Sequence, residues 1–240
     1  MKTSVNIRIA LLFQDGNFVG REYYNRLSAA GIEPSLMVTV GAMSQPSIAM
    51  ERKRTAGRWN PPELPADLPI LRFESLKSPA LWQALRTAEI DVAVQGGIGI
   101  LAPDMLRVPR IGFLNVHPGK LPQYRGNSCP EWAIYNGDDV FATAHLIDDG
   151  IDTGPVIYDQ RYPIQKGWDY HDVRAHLYAH CAKVMVRALR ILDATADDPT
   201  AVLTPQNKDS GHYWQPISED QLVVVIECLN QRASSGSPVN

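Results

Sequence analysis

Two polar side chains at the end of an apolar run could carry out chemistry. Asn115 and His117 close the predicted strand Ile111–Val116, and Pro118 follows them. Residues two apart in a strand project their side chains to the same side. An amide N–H can stabilise a developing oxyanion, and an imidazole accepts a proton near neutral pH. The residue types alone fit a catalytic pair or a buried Asn beside a capped His equally well.

A second stretch could supply a carboxylate to this pair. The sequence HLIDDGIDTGP, residues 145–155, contains three aspartates and two glycines. Gly and Asp form sharp loops, so a loop between two strands could bring Asp152 close to His117. A neighbouring carboxylate orients an imidazole ring and stabilises its charged form. An ordinary acidic hairpin loop would have the same composition.

The elements that must position these groups indicate an α/β fold. Strands alternate with helices through the first two-thirds of the chain, which is typical of a mostly parallel sheet with helices on both faces. Such sheets bind ligands at the carboxyl ends of their strands, where Asn115 and His117 lie. The predicted strands are Ile7–Phe13, Pro34–Val40, Ile70–Phe73, Asp91–Gly97, Ile111–Val116, Phe141–Ile147, Val156–Tyr162 and Ala201–Leu203. The predicted helices are Asn17–Ala30, Pro79–Thr87, a turn at Leu101–Leu106, Pro130–Asn136, His171–Ala194 and Ser218–Gln231.

The rest of the chain divides into a loop and a terminal extension. Met43–Pro69 is rich in proline and charge without periodicity, so we predict a long, mobile loop there. We predict one domain over residues 1–195 and a short C-terminal extension over residues 196–240, which ends in a frayed tail.

The composition excludes several classes of protein. The chain has 240 residues, 45% of them hydrophobic, which is enough for one sizeable core. Its net charge of −3 argues against a nucleic-acid-binding surface. No apolar run is long enough to span a membrane, and we identify no signal peptide. Three cysteines without a CxxC pair argue against a disulfide framework or a zinc site, so we expect a reducing cytoplasm.

The two motifs together resemble those of the N10-formyltetrahydrofolate-dependent formyltransferases. NVHPGKLPQYRG is similar to N-x-H-P-S-L-L-P-x-[YW]-R-G, and HLIDDGIDTGP to the end of T-x-H-x-[MI]-D-x-x-[IL]-D-x-G-P. The resemblance runs from about Ile7 to Leu192. It implies a Rossmann-like catalytic domain without the G-x-G-x-x-G fingerprint, which this chain lacks. Gly119-Lys120 replaces the usual Ser-Leu, and GNSCPEW follows Arg125, which suggests an unusual acceptor.

The resemblance also implies roles for individual residues. Asn115, His117 and Asp152 would form the catalytic trio, with His145 in support and no metal. A neutral amine would attack the formyl carbon while Asn115 stabilises the oxygen, His117 moves the proton and Asp152 holds His117. The donor N10-formyltetrahydrofolate would be bound by Ile98, Gly99, Ile100, Leu101, Gly119, Lys120, Leu121, Pro122, Asp148, Asp149, Gly150 and Ile151. The acceptor would contact Asn17, Tyr124, Arg125 and Gly126.

Among acceptors, we predict the primary amine of a nucleotide-linked amino sugar. Glycinamide ribonucleotide fits less well because LFQDGNF, after the first strand, offers a single glycine for a phosphate loop. An amino-acid or peptide amine is the sibling alternative, and methionyl-tRNA formyltransferases carry a further C-terminal domain. Alternatives of another class are a formyltetrahydrofolate hydrolase, which would have a regulatory domain in front, and a folate-binding module without catalysis. The apolar segment Leu222–Ile226 suggests a homodimer.

Other residues could carry chemistry but have simpler explanations. Helical spacing would place Asp172, His176 and His180 on one face, where a polar surface is the simpler explanation than a metal site. Cys129 could be a nucleophile, although a buried structural thiol fits better. A cluster of basic residues could clamp a diphosphate or simply be solvated: Arg52, Lys53, Arg54 and Arg58. Tyr213 and Trp214 could stack on a base, or pack between the core and the last helix.

Overall fold

A single twisted sheet forms the centre of the molecule. The structure, a computed structural model, describes residues 5–234. The strands are β1 (Ile9–Asp15), β2 (Leu36–Ala42), β3 (Leu71–Phe73), β4 (Val92–Gln95), β5 (Gly112–His117), β6 (Tyr124–Gly126), β7 (Phe141–Leu146), β8 (Val156–Arg161) and β9 (His212–Trp214). Seven of them form the main sheet in the order β3-β2-β1-β4-β5-β7-β8. The first five in that order are parallel, and β7 and β8 are antiparallel to their neighbours.

Helices cover both faces of this sheet. They are α1 (Phe18–Ala29), α2 (Gln45–Thr55), α3 (Pro79–Thr87), α4 (Cys129–Tyr135), α5 (Tyr170–Ala194) and α6 (Glu219–Ser234). Strand β1 shows why two layers form, because Leu11 and Phe13 belong to one apolar cluster and Leu12 to another. The first cluster includes residues of α1, α4 and α5, and the second those of α3. This arrangement confirms the predicted Rossmann-like α/β fold.

The C-terminal residues are part of the same core. Val225 and Leu229 of α6 are fully buried within the larger apolar cluster. Strand β9 pairs in parallel with β6, and Thr204 pairs with Val156 beside β8. Residues 196–234 therefore pack directly against the sheet domain. The predicted frayed tail lies mostly outside the described residues.

The predicted mobile loop at Met43–Pro69 is wrong, because α2 occupies part of it. Ser44 caps this helix, and a proline occupies its first turn. The helix buries a single residue, Thr55, so its sequence shows no apolar periodicity. Beyond it, Trp59 is buried and stacks on Tyr178 of α5 with ring centroids 4.3 Å apart.

Two short predictions also fail. A 3₁₀ helix occupies Pro199–Val202 in place of the predicted strand Ala201–Leu203, because Pro199 and the Asp198 cap favour a turn there. The turn predicted at Leu101–Leu106 lies at Met105–Arg107. The sequence also gave no sign of β6 and β9. Within residues 5–234, no helix is both long and apolar enough to cross a membrane.

Candidate active site

Strand β5 delivers the two predicted polar side chains to the carboxyl end of the sheet. It pairs in parallel with β4 on one side and antiparallel with β7 on the other. On the β7 side, Asn115 lies opposite His145 and His117 lies opposite Thr143. Directly opposed residues of neighbouring strands bring their side chains together. The sheet register therefore places four polar side chains at one site.

His117 is held by a backbone carbonyl. Its ring is buried, and Nε2 lies 2.7 Å from the carbonyl oxygen of Tyr124. Because a carbonyl can only accept, Nε2 carries the proton and donates. In the neutral ring, Nδ1 is then the nitrogen with the lone pair. Gly119 permits this packing, since a Cβ there would lie 2.7 Å from His117 Nε2.

Asp152 lies beside the lone-pair nitrogen. Its Oδ2 is 3.4 Å from Nδ1 of His117, and its Oδ1 is 3.6 Å from Nε2 of His145. The backbone N–H of Gly126 donates to Oδ2 at 2.9 Å. Asp152 itself has a left-handed backbone, with φ 54°, which is uncommon for a residue with a side chain. The loop is thus shaped to bring this carboxylate to the histidine, as the sequence predicted.

For both His117 and Asp152, burial and the neighbouring charges shift the pKa in opposite directions. Burial lowers the pKa of His117 below its ordinary value, while the Asp152 carboxylate raises it. Burial alone would raise the pKa of Asp152, but the positive charge that His117 and His145 carry when protonated and the Gly126 N–H lower it to about 2. At neutral pH the site therefore contains a neutral His117 facing an ionised Asp152.

Asn115 is oriented by His145. The ring Nδ1 of His145 lies 2.9 Å from the carbonyl oxygen of Leu146, so it donates there. Its Nε2 then accepts from the side-chain amide of Asn115 at 3.1 Å. One amide hydrogen of Asn115 is used in this bond, and the same nitrogen has a second.

The loop after β5 is fixed by Thr143. Its hydroxyl donates to the carbonyl oxygen of Gly119 at 2.6 Å and accepts from the N–H of Leu121 at 3.3 Å. Leu121 is buried before Pro122, and the ammonium of Lys120 lies 4.2 Å from the ring centroid of Phe141. These predicted donor contacts therefore adjoin His117.

Two loops that each expose an isoleucine flank the site. In the loop after β4, Ile98 and Leu101 are buried, whereas the side chain of Ile100 is 82% exposed next to Gly99. The loop between β7 and β8 carries Ile151, which is 44% exposed. The same loop is shaped by Asp148, which accepts from the N–H of Gly150 and the hydroxyl of Thr153, while Asp149 is exposed.

The four residues predicted to contact the acceptor also make contacts that stabilise the fold. The side chain of Asn17 caps α1 by accepting from Val19 N and donates to the carbonyl oxygen of Gly97. The Tyr124 hydroxyl donates to Asp138, its ring stacks on Trp214, and its pKa is raised to about 12 by burial and by Asp138.

The last two of these residues hold the aspartate loop. The N–H of Gly126 donates to Asp152, and the buried guanidinium of Arg125 donates to the side chain of Gln206. Thr143 and Gln206 escaped the sequence analysis. Thr143 alternates with His145 on β7, a pattern that could have found it, whereas Gln206 lies in an aperiodic loop.

The remaining candidates are accounted for by packing. Cys129 is buried, and burial, Asp152 and Glu131 raise the pKa of its thiol, so it stays protonated. Asp172 belongs to the cap of α5 and binds Arg58. His176 stacks on Trp168, and His180 is buried with Nε2 3.4 Å from the carbonyl oxygen of Gln160. No group of three metal-binding side chains occurs within the residues that the structure describes.

The basic and aromatic pairs also have packing roles. Arg58 binds both Asp169 and Asp172 at the start of α5, and Arg54 pairs with Glu51 within α2. Trp214 packs between the rings of Tyr124 and Trp132, which confirms a packing role for it, while Tyr213 is 45% exposed.

Comparison with known proteins agrees with this geometry. A methionyl-tRNA formyltransferase of Deinococcus radiodurans is 39% identical over 162 residues, which make up 65% of this chain and 48% of that protein. The chain spans about half the length of the curated relatives it matches.

Solved structures share the fold. Glycinamide ribonucleotide transformylase 1 from Symbiobacterium toebii matches with a TM-score of 0.58 at 21% identity, over 78% of this chain and 88% of that one. A 4-N formyltransferase from Francisella tularensis matches with a TM-score of 0.53 at 17% identity, over 92% of this chain and 86% of that one. A model of the formyl transferase family matches residues 7–189, and the chain therefore belongs to that family.

Proposed function

We propose that this protein transfers a formyl group from N10-formyltetrahydrofolate to a primary amine. The observation that carries the proposal is the arrangement of Asn115, His117 and Asp152 at the carboxyl end of β5. The imidazole lone pair lies 3.4 Å from the carboxylate, and the amide is fixed by His145. This set supplies an oxyanion donor, a base and a group that stabilises the charged base.

The donor fits the two loops beside the site. Ile100 and Ile151 expose apolar surface at the end of the sheet where ligands of such folds bind. Exposed apolar side chains on the rim of a polar site are suited to cover a flat heterocycle. Ile98, Gly99, Leu101 and the stretch from Gly119 to Pro122 would complete the donor site. When bound, the donor supplies the formyl group as an activated amide.

The mechanism follows from the hydrogen bonds of the resting site. The second amide hydrogen of Asn115 donates to the formyl oxygen as negative charge develops there; one such donor is worth about 3 kcal/mol. His117 Nδ1 accepts the proton that the attacking amine loses, because Nε2 is already donating to Tyr124. The imidazolium so formed is stabilised by Asp152, which stays ionised. The same proton returns to the nitrogen that leaves the formyl carbon.

For the acceptor, we propose a nucleotide-linked amino sugar. The fold likeness to the Francisella 4-N formyltransferase extends over 92% of this chain, compared with 78% to 87% for glycinamide ribonucleotide transformylases. The net charge of −3 also favours a small acceptor over a polynucleotide.

A second acceptor is favoured by one observation. The sequence identity of 39% to a methionyl-tRNA formyltransferase exceeds the identity to the structural neighbours. Methionyl-tRNA therefore belongs among the tested acceptors, together with glycinamide ribonucleotide and free amino acids.

A donor-release assay tests the function. The protein is mixed with N10-formyltetrahydrofolate and each acceptor in turn. The formation of tetrahydrofolate is followed by absorbance, and the mass of the product is measured by mass spectrometry. We expect release that depends on a nucleotide-linked amino sugar, with a mass gain of one formyl group. His117→Asn serves as the inactive control.

The other outcomes are equally informative. Turnover with methionyl-tRNA would identify methionyl-tRNA as the acceptor in place of the amino sugar. Release without any amine would identify a hydrolase, and donor binding without release on any acceptor would identify a folate-binding module.

We also propose that α6 joins two copies of the chain. Val223 and Val224 are 54% and 39% exposed on this helix, while Val225 faces the core. Light scattering is expected to give twice the mass of the chain, and a monomer mass would remove the proposal.

A further inference from the structure

Gln206 connects the C-terminal region to the loop that carries Asp152. Its side-chain nitrogen donates to the backbone carbonyl oxygens of Asp152 at 3.0 Å and Gly154 at 2.6 Å. Its side-chain oxygen accepts from Nη2 of Arg125 at 3.1 Å. Gln206 lies outside residues 7–189, which match the family model. The catalytic loop is thus held by a residue beyond the recognised domain.

The orientation of this amide is fixed by its partners. Backbone carbonyls can only accept hydrogen bonds, and a guanidinium can only donate them. The nitrogen of Gln206 must therefore face the loop, and its oxygen must face Arg125. A reversed amide would put oxygen against two carbonyl oxygens, so the side chain has one satisfactory arrangement.

These bonds close a ring around Asp152. The carboxylate of Asp152 accepts from the N–H of Gly126, the residue after Arg125. The backbone carbonyl of Asp152 accepts from Gln206, which in turn binds Arg125. Asp152 is therefore held at its side chain and at its main chain by neighbouring groups. Such support suits a residue with φ 54°, a conformation that surrounding contacts must maintain.

The segment that carries Gln206 is itself anchored at both ends. On one side, Thr204 and Val156 exchange two backbone hydrogen bonds of 2.8 Å. On the other side, β9 pairs with β6, and Trp214 donates to the carbonyl oxygen of Gln123, 91 residues earlier. Gly211 allows this segment to lie close to Pro122, since a Cβ at Gly211 would lie 2.3 Å from the carbonyl oxygen of Pro122. Gln206 is thus presented on a fixed strap, residues 204–214.

We propose that Gln206 is a positioning residue, which keeps the Asp152 carboxylate beside Nδ1 of His117 by fixing the backbone of Asp152. The inference rests on the proposed function for its effect on rate. Its effect on the His117 ring, however, can be observed without any substrate.

Two variants test the inference against a matched control. Gln206→Leu keeps the approximate size and removes the hydrogen bonds of the side chain to Arg125, Asp152 and Gly154. Gln206→Glu keeps an acceptor for Arg125 but replaces the loop donor with a carboxylate. Gln215→Leu is the control, because it makes the same change in the same region at an exposed side chain. Circular dichroism and thermal unfolding identify variants that are folded.

The kinetic expectation is a selective fall in kcat. Gln206→Leu and Gln206→Glu should each lower kcat about 10- to 100-fold, because small displacements of a catalytic group have effects of that size. The KM values for donor and acceptor should stay within about twofold, since neither substrate contacts Gln206 in this scheme. Gln215→Leu should match the wild type.

The decisive measurement is the titration of His117 by NMR, with its signal assigned by comparison with His117→Asn. The nearby carboxylate raises the pKa of His117, so displacing Asp152 should lower that pKa in Gln206→Leu. Asp152→Asn should lower it further. Gln206→Glu adds a negative charge of its own beside the loop, so it is compared by kcat alone. If His117 titrates as in the wild type in folded Gln206→Leu, the inference is overturned, whatever happens to kcat. If the wild type transfers no formyl group but the titration shifts, the proposed function fails and the positioning role stands.

Discussion

The two ends of the sheet contain similar charged residues but differ in burial. At the carboxyl end, the side chains of His117, His145 and Asp152 are 6%, 2% and 13% exposed. At the amino end, Arg8 pairs with Glu89 at 52% and 77% exposure around a cavity of about 530 Å³. Arg110, which is 53% exposed, pairs at the same cavity with Asp91, which is 16% exposed, so each pair at this end has at least one partner in solvent.

Burial is what separates a reactive site from a solvated one. Water and salt screen the exposed pairs, which contribute little to stability. The buried groups instead act on each other's protonation, so that the pKa of Asp152 falls to about 2. We therefore expect substitutions at the carboxyl end to change chemistry and those at the amino end to change almost nothing.

The largest effect is expected for His117→Asn. The variant removes the proposed base, so kcat for formyl transfer should fall about 10²- to 10⁴-fold with the fold retained. His176→Asn is the control, since His176 is exposed and lies outside the site. Turnover near the wild-type value in His117→Asn would show that another group takes the proton.

Asn115→Ala should come next. Loss of one oxyanion donor lowers kcat by about 10²- to 10³-fold, and steady-state kinetics with saturating donor measure it. Asn60→Ala, at an exposed side chain, is the matched control. A variant that raises KM while keeping kcat would assign Asn115 to ground-state binding instead.

Asp152→Asn should change the response of stability to acid. The folded pKa of about 2 lies below the ordinary value of 3.8, so the carboxylate stabilises the fold above pH 4 and this stabilisation is lost as the pH falls toward 2. The free energy of unfolding should differ between the two proteins by about 2 kcal/mol near neutral pH and converge in acid. Urea denaturation at a series of pH values measures the difference. If the free energies of unfolding of the two proteins differ by the same amount at every pH, the lowered pKa of Asp152 is contradicted.

The smallest effect is expected at the amino end. Arg8→Ala and Arg110→Ala should each lower the free energy of unfolding by less than about 1 kcal/mol and leave kcat unchanged. Thermal and urea unfolding in low and high salt provide the measurement. A loss of activity in either variant would remove the contrast between the two ends.

The sequence was sufficient to predict the main sheet and to place Asn115 and His117 at a strand end for a simple physical reason. Strand β5 is apolar up to the point where Asn115 and His117 appear, so both its existence and its end could be predicted. The aspartate loop was found through its glycines and through the family resemblance.

Features defined by contacts that form only in the assembled fold could not be predicted from the sequence. Helix α2 buries only Thr55, so nothing in its pattern marks a helix face. Strands β6 and β9 are three residues each and pair across most of the C-terminal half of the chain, beyond the range of any local pattern. Gln206 sits in a loop and is defined by its partners alone.

The strap formed by residues 204–214 also has a consequence for biosynthesis. Translation proceeds from the amino terminus, and early segments begin to fold while later ones are still being made. Every strand of the main sheet precedes residue 204, so the sheet can assemble on the ribosome before the strap exists. The growing chain would then carry Asn115, His117 and Asp152 without the Gln206 bond that holds the backbone of Asp152, and on the proposed function would gain its competence for transfer among the last steps of its synthesis.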